Sequence, residues 1–164
     1  MLLSQFFRAG RNHDPNKMAI HCGAIHLSYG RLFDDIERVA ARLSDMGVRP
    51  GDTVAVDIDK PISHWLTTLA MMRVGAVSVS LTRNFVAEVA CIPRLAAVIS
   101  GPSELRSFPS NIRQIYIEQD WLDAPLPLRD ALTPMAEAGE LVGRICFTSG
   151  TSGQPKAILL DSKL

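Results

Sequence analysis

Apolar residues recur along this chain in two rhythms, and the switch between them predicts most of its elements. Leu32, Phe33, Ile36, Val39, Ala40, Leu43 and Met46 return every three or four positions, the stripe of a helix that buries one side. Ser28 stands where that helix needs an N-cap, and Asp34 and Arg38 are spaced to pair on its polar face. Gly47 stops it, and Pro50-Gly51-Asp52 turns the chain. A second stripe, Ile62, Trp65, Leu66, Leu69 and Met72, follows Pro61, whose fixed φ and missing N–H suit the first helical position. Gly75 closes this helix. Around it the period shortens: Thr53 to Ile58 and Ala76 to Leu81 read as strands. Strand, helix and strand at this spacing form a crossover unit, so the two strands run parallel.

The flanking segments are shorter. Leu2, Leu3, Phe6 and Phe7 predict a short helix with one apolar side, and Met18 to Cys22 with Ala24 to Tyr29 predicts a β-hairpin folded at Gly23. A short helix over Phe85 to Ile92, strands over Leu95 to Ile99 and Ile112 to Ile117, and a helix around Arg129 to Ala138 complete the middle. Loops fall at Gly101-Pro102-Ser103 and Pro109-Ser110-Asn111. Two last apolar runs, Ile145 to Phe147 and Ile158 to Leu160, read as strands on either side of one polar loop. The expected architecture is a single α/β domain over residues 1–164, a largely parallel sheet flanked by helices with an N-terminal β-hairpin. The polar loop should join neighbouring strands near one sheet edge.

Composition narrows the function classes. With 17 basic and 17 acidic residues among 164, the chain has no basic excess for nucleic acid or a membrane surface. No apolar run reaches transmembrane length, and the Met1 start lacks the basic opening of a signal peptide. Cys22, Cys91 and Cys146 are scattered, which suits reduced, buried thiols in the cytoplasm. His21 and His26 flank the turn at Gly23, on one strand pair but not directly opposite each other, so no metal site is expected. Glu118, Asp120 and Asp123 read as solvated loop charges.

The chemistry concentrates in Thr148-Ser149-Gly150-Thr151-Ser152-Gly153-Gln154-Pro155-Lys156. The glycines let successive N–H groups converge on one anion. Four hydroxyls add donors, and Lys156 adds a mobile charge. No carboxylate interrupts the stretch. It suits a polyphosphate, or else it is a Ser/Thr/Gly-rich turn that only connects two strands. The Walker loop G-x-x-x-x-G-K-[ST] does not fit: Pro155 replaces its second glycine and Ala157 its Ser/Thr.

What this stretch resembles is the phosphate loop T-S-G-[ST]-[ST]-G-x-P-K-G of the acyl-adenylate-forming, AMP-dependent ligases. That family includes acyl-CoA synthetases, luciferases and the adenylation domains of peptide synthetases. Thr148, Ser149, Gly150, Thr151, Ser152, Gly153, Pro155 and Lys156 match, and Ala157 departs from the family glycine. Leu27-Ser28-Tyr29-Gly30-Arg31-Leu32, Gly47 to Val56 and Gly75 to Leu81 add weaker matches, in order, to the family's N-terminal portion. After Leu81, Thr82-Arg83-Asn84-Phe85 stands where a proline-rich turn is usual, and the likeness between Leu81 and Leu141 is low.

The resemblance implies an enzyme that activates a carboxylic acid with ATP and Mg2+ and passes the acyl group to coenzyme A or a carrier-protein thiol. The eight matching loop residues would hold the ATP phosphates. The family's adenine and acyl sites, magnesium-binding glutamate and catalytic lysine come later in its sequence, so no catalytic or metal residue is expected here and the chain alone should be inactive. A missing remainder would leave an apolar face or strand edge open to self-association. The other reading is a non-catalytic half-domain that serves as an interaction module. Ser162-Lys163-Leu164 would be a peroxisomal address at a true C-terminus; the expectation is that it is an accident of where the chain stops, with a cytoplasmic location.

Overall fold

The computed structural model describes residues 3–81, 85–90, 92, 94–101, 107–117, 121, 142–148 and 156–161. Its elements run α1 (Leu3–Arg11), β1 (Met18–Cys22), β2 (Ile25–Ser28), α2 (Tyr29–Asp45), β3 (Thr53–Asp57), α3 (Pro61–Val74), β4 (Val77–Ser80), α4 (Phe85–Ala90), β5 (Leu95–Ser100), β6 (Arg113–Tyr116), β7 (Val142–Thr148) and β8 (Lys156–Asp161). β1 and β2 form the expected hairpin, and the other strands make one sheet in the order β6-β5-β3-β4-β7-β8. Within it β3 pairs parallel with β4 and β5, β5 with β6, and β4 with β7. Among the described residues of this sheet, only the β7–β8 pair is antiparallel. The largely parallel α/β architecture expected from the sequence is the one observed.

Local chemistry explains the helix limits. Ser28 is extended and its hydroxyl accepts the Arg31 N–H at 3.3 Å, capping α2. Gly75 ends α3 at φ 86°, a left-handed conformation in which a Cβ is costly.

Both faces of the sheet are covered. Val39, Ala40 and Leu43 of α2 and Ala70 and Met71 of α3 pack on Val54, Val56, Ala97, Ile99 and Ile115. The other face carries Ala55, Val79, Val98 and Ile145 against Ile92 and Phe108. This double coverage is why Val54, Ala55, Val56 and Asp57 of β3 are all buried, as a central parallel strand requires. A third cluster, Phe7, Leu32, Phe33, Ile36, Leu66 and Leu69, joins α1, α2 and α3 beneath the hairpin.

Several expectations need correction. Trp65 is 41% exposed. α3 packs on α2 as well as on the sheet, so it buries Leu66 through Met71 instead of one narrow stripe. Met46 is exposed too, because it sits past the last turn of α2 as its C-cap. Arg38 bonds Asp35 rather than Asp34, and Arg31 holds the same carboxylate through Nε at 2.9 Å. Burial raises the Asp35 carboxyl above its ordinary value, against the pull of Arg31 and Arg38. Cys22 is exposed. His21 and His26 are direct partners across the hairpin. Cys91, the acidic group Glu118, Asp120 and Asp123, the helix expected around 129–138 and the tripeptide 162–164 lie outside the described residues.

Candidate functional site

β7 and β8 bring the two ends of the polar loop together. β7 enters beside β4, and β8 leaves as the outermost strand, with Thr148 opposite Lys156, Phe147 opposite Ala157 and Cys146 opposite Ile158. Thr148 and Lys156 are both exposed at the loop end of the pair. Because β7 is parallel to β4, this end coincides with the carboxyl ends of the parallel strands, where open α/β sheets place their ligands. Of the residues matched by the loop motif, Thr148 and Lys156 are therefore located. Ser149, Gly150, Thr151, Ser152, Gly153 and Pro155 lie outside the described residues.

The departure at Ala157 now has a structural reading. Ala157 is an exposed strand residue paired with Phe147, and Arg94 is the only non-glycine with positive φ among the described residues. No left-handed conformation calls for glycine at 157. Ala157→Gly is accordingly expected to lower stability by no more than about 1 kcal/mol, through backbone entropy. Urea denaturation checks this, and a clear gain in stability would contradict it.

Where β7 lies beside β4 there is a polar chain that the sequence reading missed. Arg144 Nη2 donates to Ser80 Oγ at 2.8 Å, Ser80 Oγ lies 2.9 Å from His64 Nε2, and His64 Nδ1 lies 3.2 Å from the Ile58 carbonyl. A carbonyl only accepts, so Nδ1 carries the proton and Nε2 receives the Ser80 O–H. The chain ties β7 to β4 and to the β3–α3 connection. Arg144 has no acidic partner among the described residues, and its buried Nε is left without a hydrogen bond. Its signal was the lone cation in the apolar strand Val142-Gly143-Arg144-Ile145-Cys146-Phe147.

Burial and the nearby Arg144 guanidinium hold the His64 ring below its ordinary value, against the Ile58 bond. The unfolded chain therefore takes up a proton on this ring more readily than the folded chain does. Stability should fall as pH drops below the unfolded value of about 6.5. Chemical denaturation between about pH 8 and about pH 5 is expected to show this loss in the wild type and a shallower one in His64→Gln. Equal slopes would remove His64 as the cause.

Among the described residues no group of three or more His, Cys, Asp or Glu could hold a metal ion. No helix among them is long and apolar enough to cross a membrane.

The family pattern described as AMP-binding enzyme matches residues 6–100, from within α1 to the end of β5. A hybrid PKS-NRPS synthetase of Emericella nidulans is 29% identical over 168 residues, 96% of this chain and 4% of that protein. The oxalate–CoA ligase of Arabidopsis thaliana is 28% identical over 165 residues, 89% of this chain and 32% of that protein. The chain thus spans less than a third of the length of either relative. The N-terminal subdomain of Klebsiella oxytoca NpsA, solved in complex with 3-hydroxybenzoyl-AMSN, superposes with a TM-score of 0.76 at 23% identity, covering 95% of this chain and 40% of that one. That likeness shows the fold. With more than half of its length matched by the family pattern, the chain belongs to the AMP-binding enzyme family.

Proposed function

We propose that residues 1–164 are the incomplete N-terminal part of a larger adenylation domain, and that their role is to supply its ATP phosphate loop. The observation that carries this reading is the facing of Thr148 and Lys156 where β7 and β8 meet the loop. In the complete enzyme the carboxylate of an acid attacks the α-phosphorus of ATP. The bond to the β,γ-phosphates breaks, giving an acyl-adenylate and pyrophosphate. A thiol, of coenzyme A or a carrier protein, then takes the acyl group and releases AMP. The leaving pyrophosphate is heavily charged, so donors fixed around it lower the barrier. Thr148, Ser149, Thr151 and Ser152 offer hydroxyls, Gly150 and Gly153 permit close approach of backbone N–H groups, Pro155 stiffens the exit, and Lys156 neutralises charge.

These residues by themselves would not form acyl-adenylate, since the acyl and adenine sites belong to the remainder of such a domain. The test is acid-dependent exchange of labelled pyrophosphate into ATP, run on the 164-residue chain and on the longest natural product that contains it. Exchange by the longer protein alone supports the proposal. Exchange by the chain alone, or by neither, overturns it.

One observation favours a second reading, an interaction module. β8 is an edge strand whose Ile158, Leu159 and Leu160 are all exposed, and an open apolar edge invites pairing with another chain. Sedimentation of the chain over a range of concentrations separates self-association from a monomer.

A further inference from the structure

The hairpin tip carries a feature that the phosphate loop does not use. His21 and His26 are direct partners across β1 and β2, and their ring centroids lie 4.4 Å apart with the planes at 84°. Both residues are exposed. The neighbouring pair, Ile20 and Leu27, packs inward against the cluster of Phe33 and Leu66, so alternation turns the two imidazoles outward. Among the described residues no hydrogen bond or ion pair occupies either ring. Their nitrogens are free to bind.

We propose that His21 and His26 form a two-imidazole site for a late first-row divalent ion, Zn2+, Ni2+ or Cu2+. Neutral imidazole nitrogens suit these ions, at about 2.0–2.1 Å for zinc. Mg2+ demands oxygen ligands and is excluded by the donor set. The strand register holds the two rings within 4.4 Å of each other, edge to face, before any ion arrives; chelation then needs only ring rotation, which removes part of its ordering cost. Cys22 follows His21 directly and projects to the other face of the hairpin, and no third His, Cys, Asp or Glu joins the pair among the described residues. The remaining coordination positions therefore belong to water or to an incoming ligand. The ion would staple β1 to β2 at the turn, far in sequence from the loop at 148–156. The proposal does not depend on the ligase reading.

Calorimetric titration of the metal-stripped chain with zinc chloride and with nickel chloride tests it. Saturable binding of one ion per chain is expected, with a rise in thermal midpoint on adding the ion and no response to magnesium chloride. His21→Ala and His26→Ala should each weaken binding by at least about tenfold, the loss of a ligand costing no less than the loss of a residue that orients one. His13→Ala and Cys22→Ser should leave it unchanged. Absence of saturable binding, loss in Cys22→Ser, or full binding in either His21→Ala or His26→Ala would each overturn the proposal.

Discussion

Leu43→Ala is expected to lower the unfolding free energy by roughly 2–5 kcal/mol, the cost of removing a buried side chain and leaving part of its cavity unfilled. Leu43 lies in the last turns of α2 with no exposed surface, in the cluster that joins α2 and α3 to β3, β5 and β6. Its neighbours Val48, Val54, Val56 and Met71 are buried as well, and a site walled on all sides by packed elements collapses poorly. A domain of this size is held by only about 5–15 kcal/mol, so the loss could expose much of the population to unfolding at moderate urea. Trp65→Ala is the informative control. Trp65 is larger, yet 41% exposed, and its removal should cost distinctly less. Urea titration of both variants checks the order, and equal losses would mean that α3 sits differently on the sheet.

Lys156→Ala, made in the longest natural protein that contains this chain, is expected to weaken ATP binding or slow pyrophosphate exchange by roughly ten- to a hundredfold. A hydrogen bond to a charged group carries a free energy of that order. Lys156 is exposed at the start of β8, opposite Thr148, so its removal leaves no cavity and breaks no packing. Stability should stay near the wild-type value while nucleotide handling falls. Lys156→Arg should recover part of the effect, because it keeps the charge but changes the donor geometry. Unchanged exchange in Lys156→Ala would remove this residue from the phosphate site and weaken the loop assignment with it.

The contrast between these two residues shows what was legible from residue order. Gly75 at the end of α3, Pro61 at its start and Ser28 before α2 act through their own backbone or through a neighbour within one turn. Local chemistry decides such features, so the helix limits could be read directly. The parallel pairing of β3 and β4 followed as well, because a crossover helix of that length leaves one right-handed route. The resemblance of the loop was legible for a similar reason: the motif it matches sets its glycines, hydroxyls and lysine close together along the chain.

Other features depended on which distant segments meet. Trp65 occupies a position of the helical stripe, but the stripe has meaning only once the second face of α3 is known to lie against α2. The alternation of the hairpin placed His21 and His26 on one strand pair, while the register that makes them direct partners depends on the two residues at the turn. Arg144, Ser80 and His64 lie far apart in sequence and touch only because β7 docks beside β4 and α3 crosses over it. By itself the sequence determined the limits of α2 and α3, the crossover between β3 and β4, and the family. The tertiary structure alone decided which polar and aromatic side chains share a space, since burial and partnership are properties of packing between segments that no local pattern records.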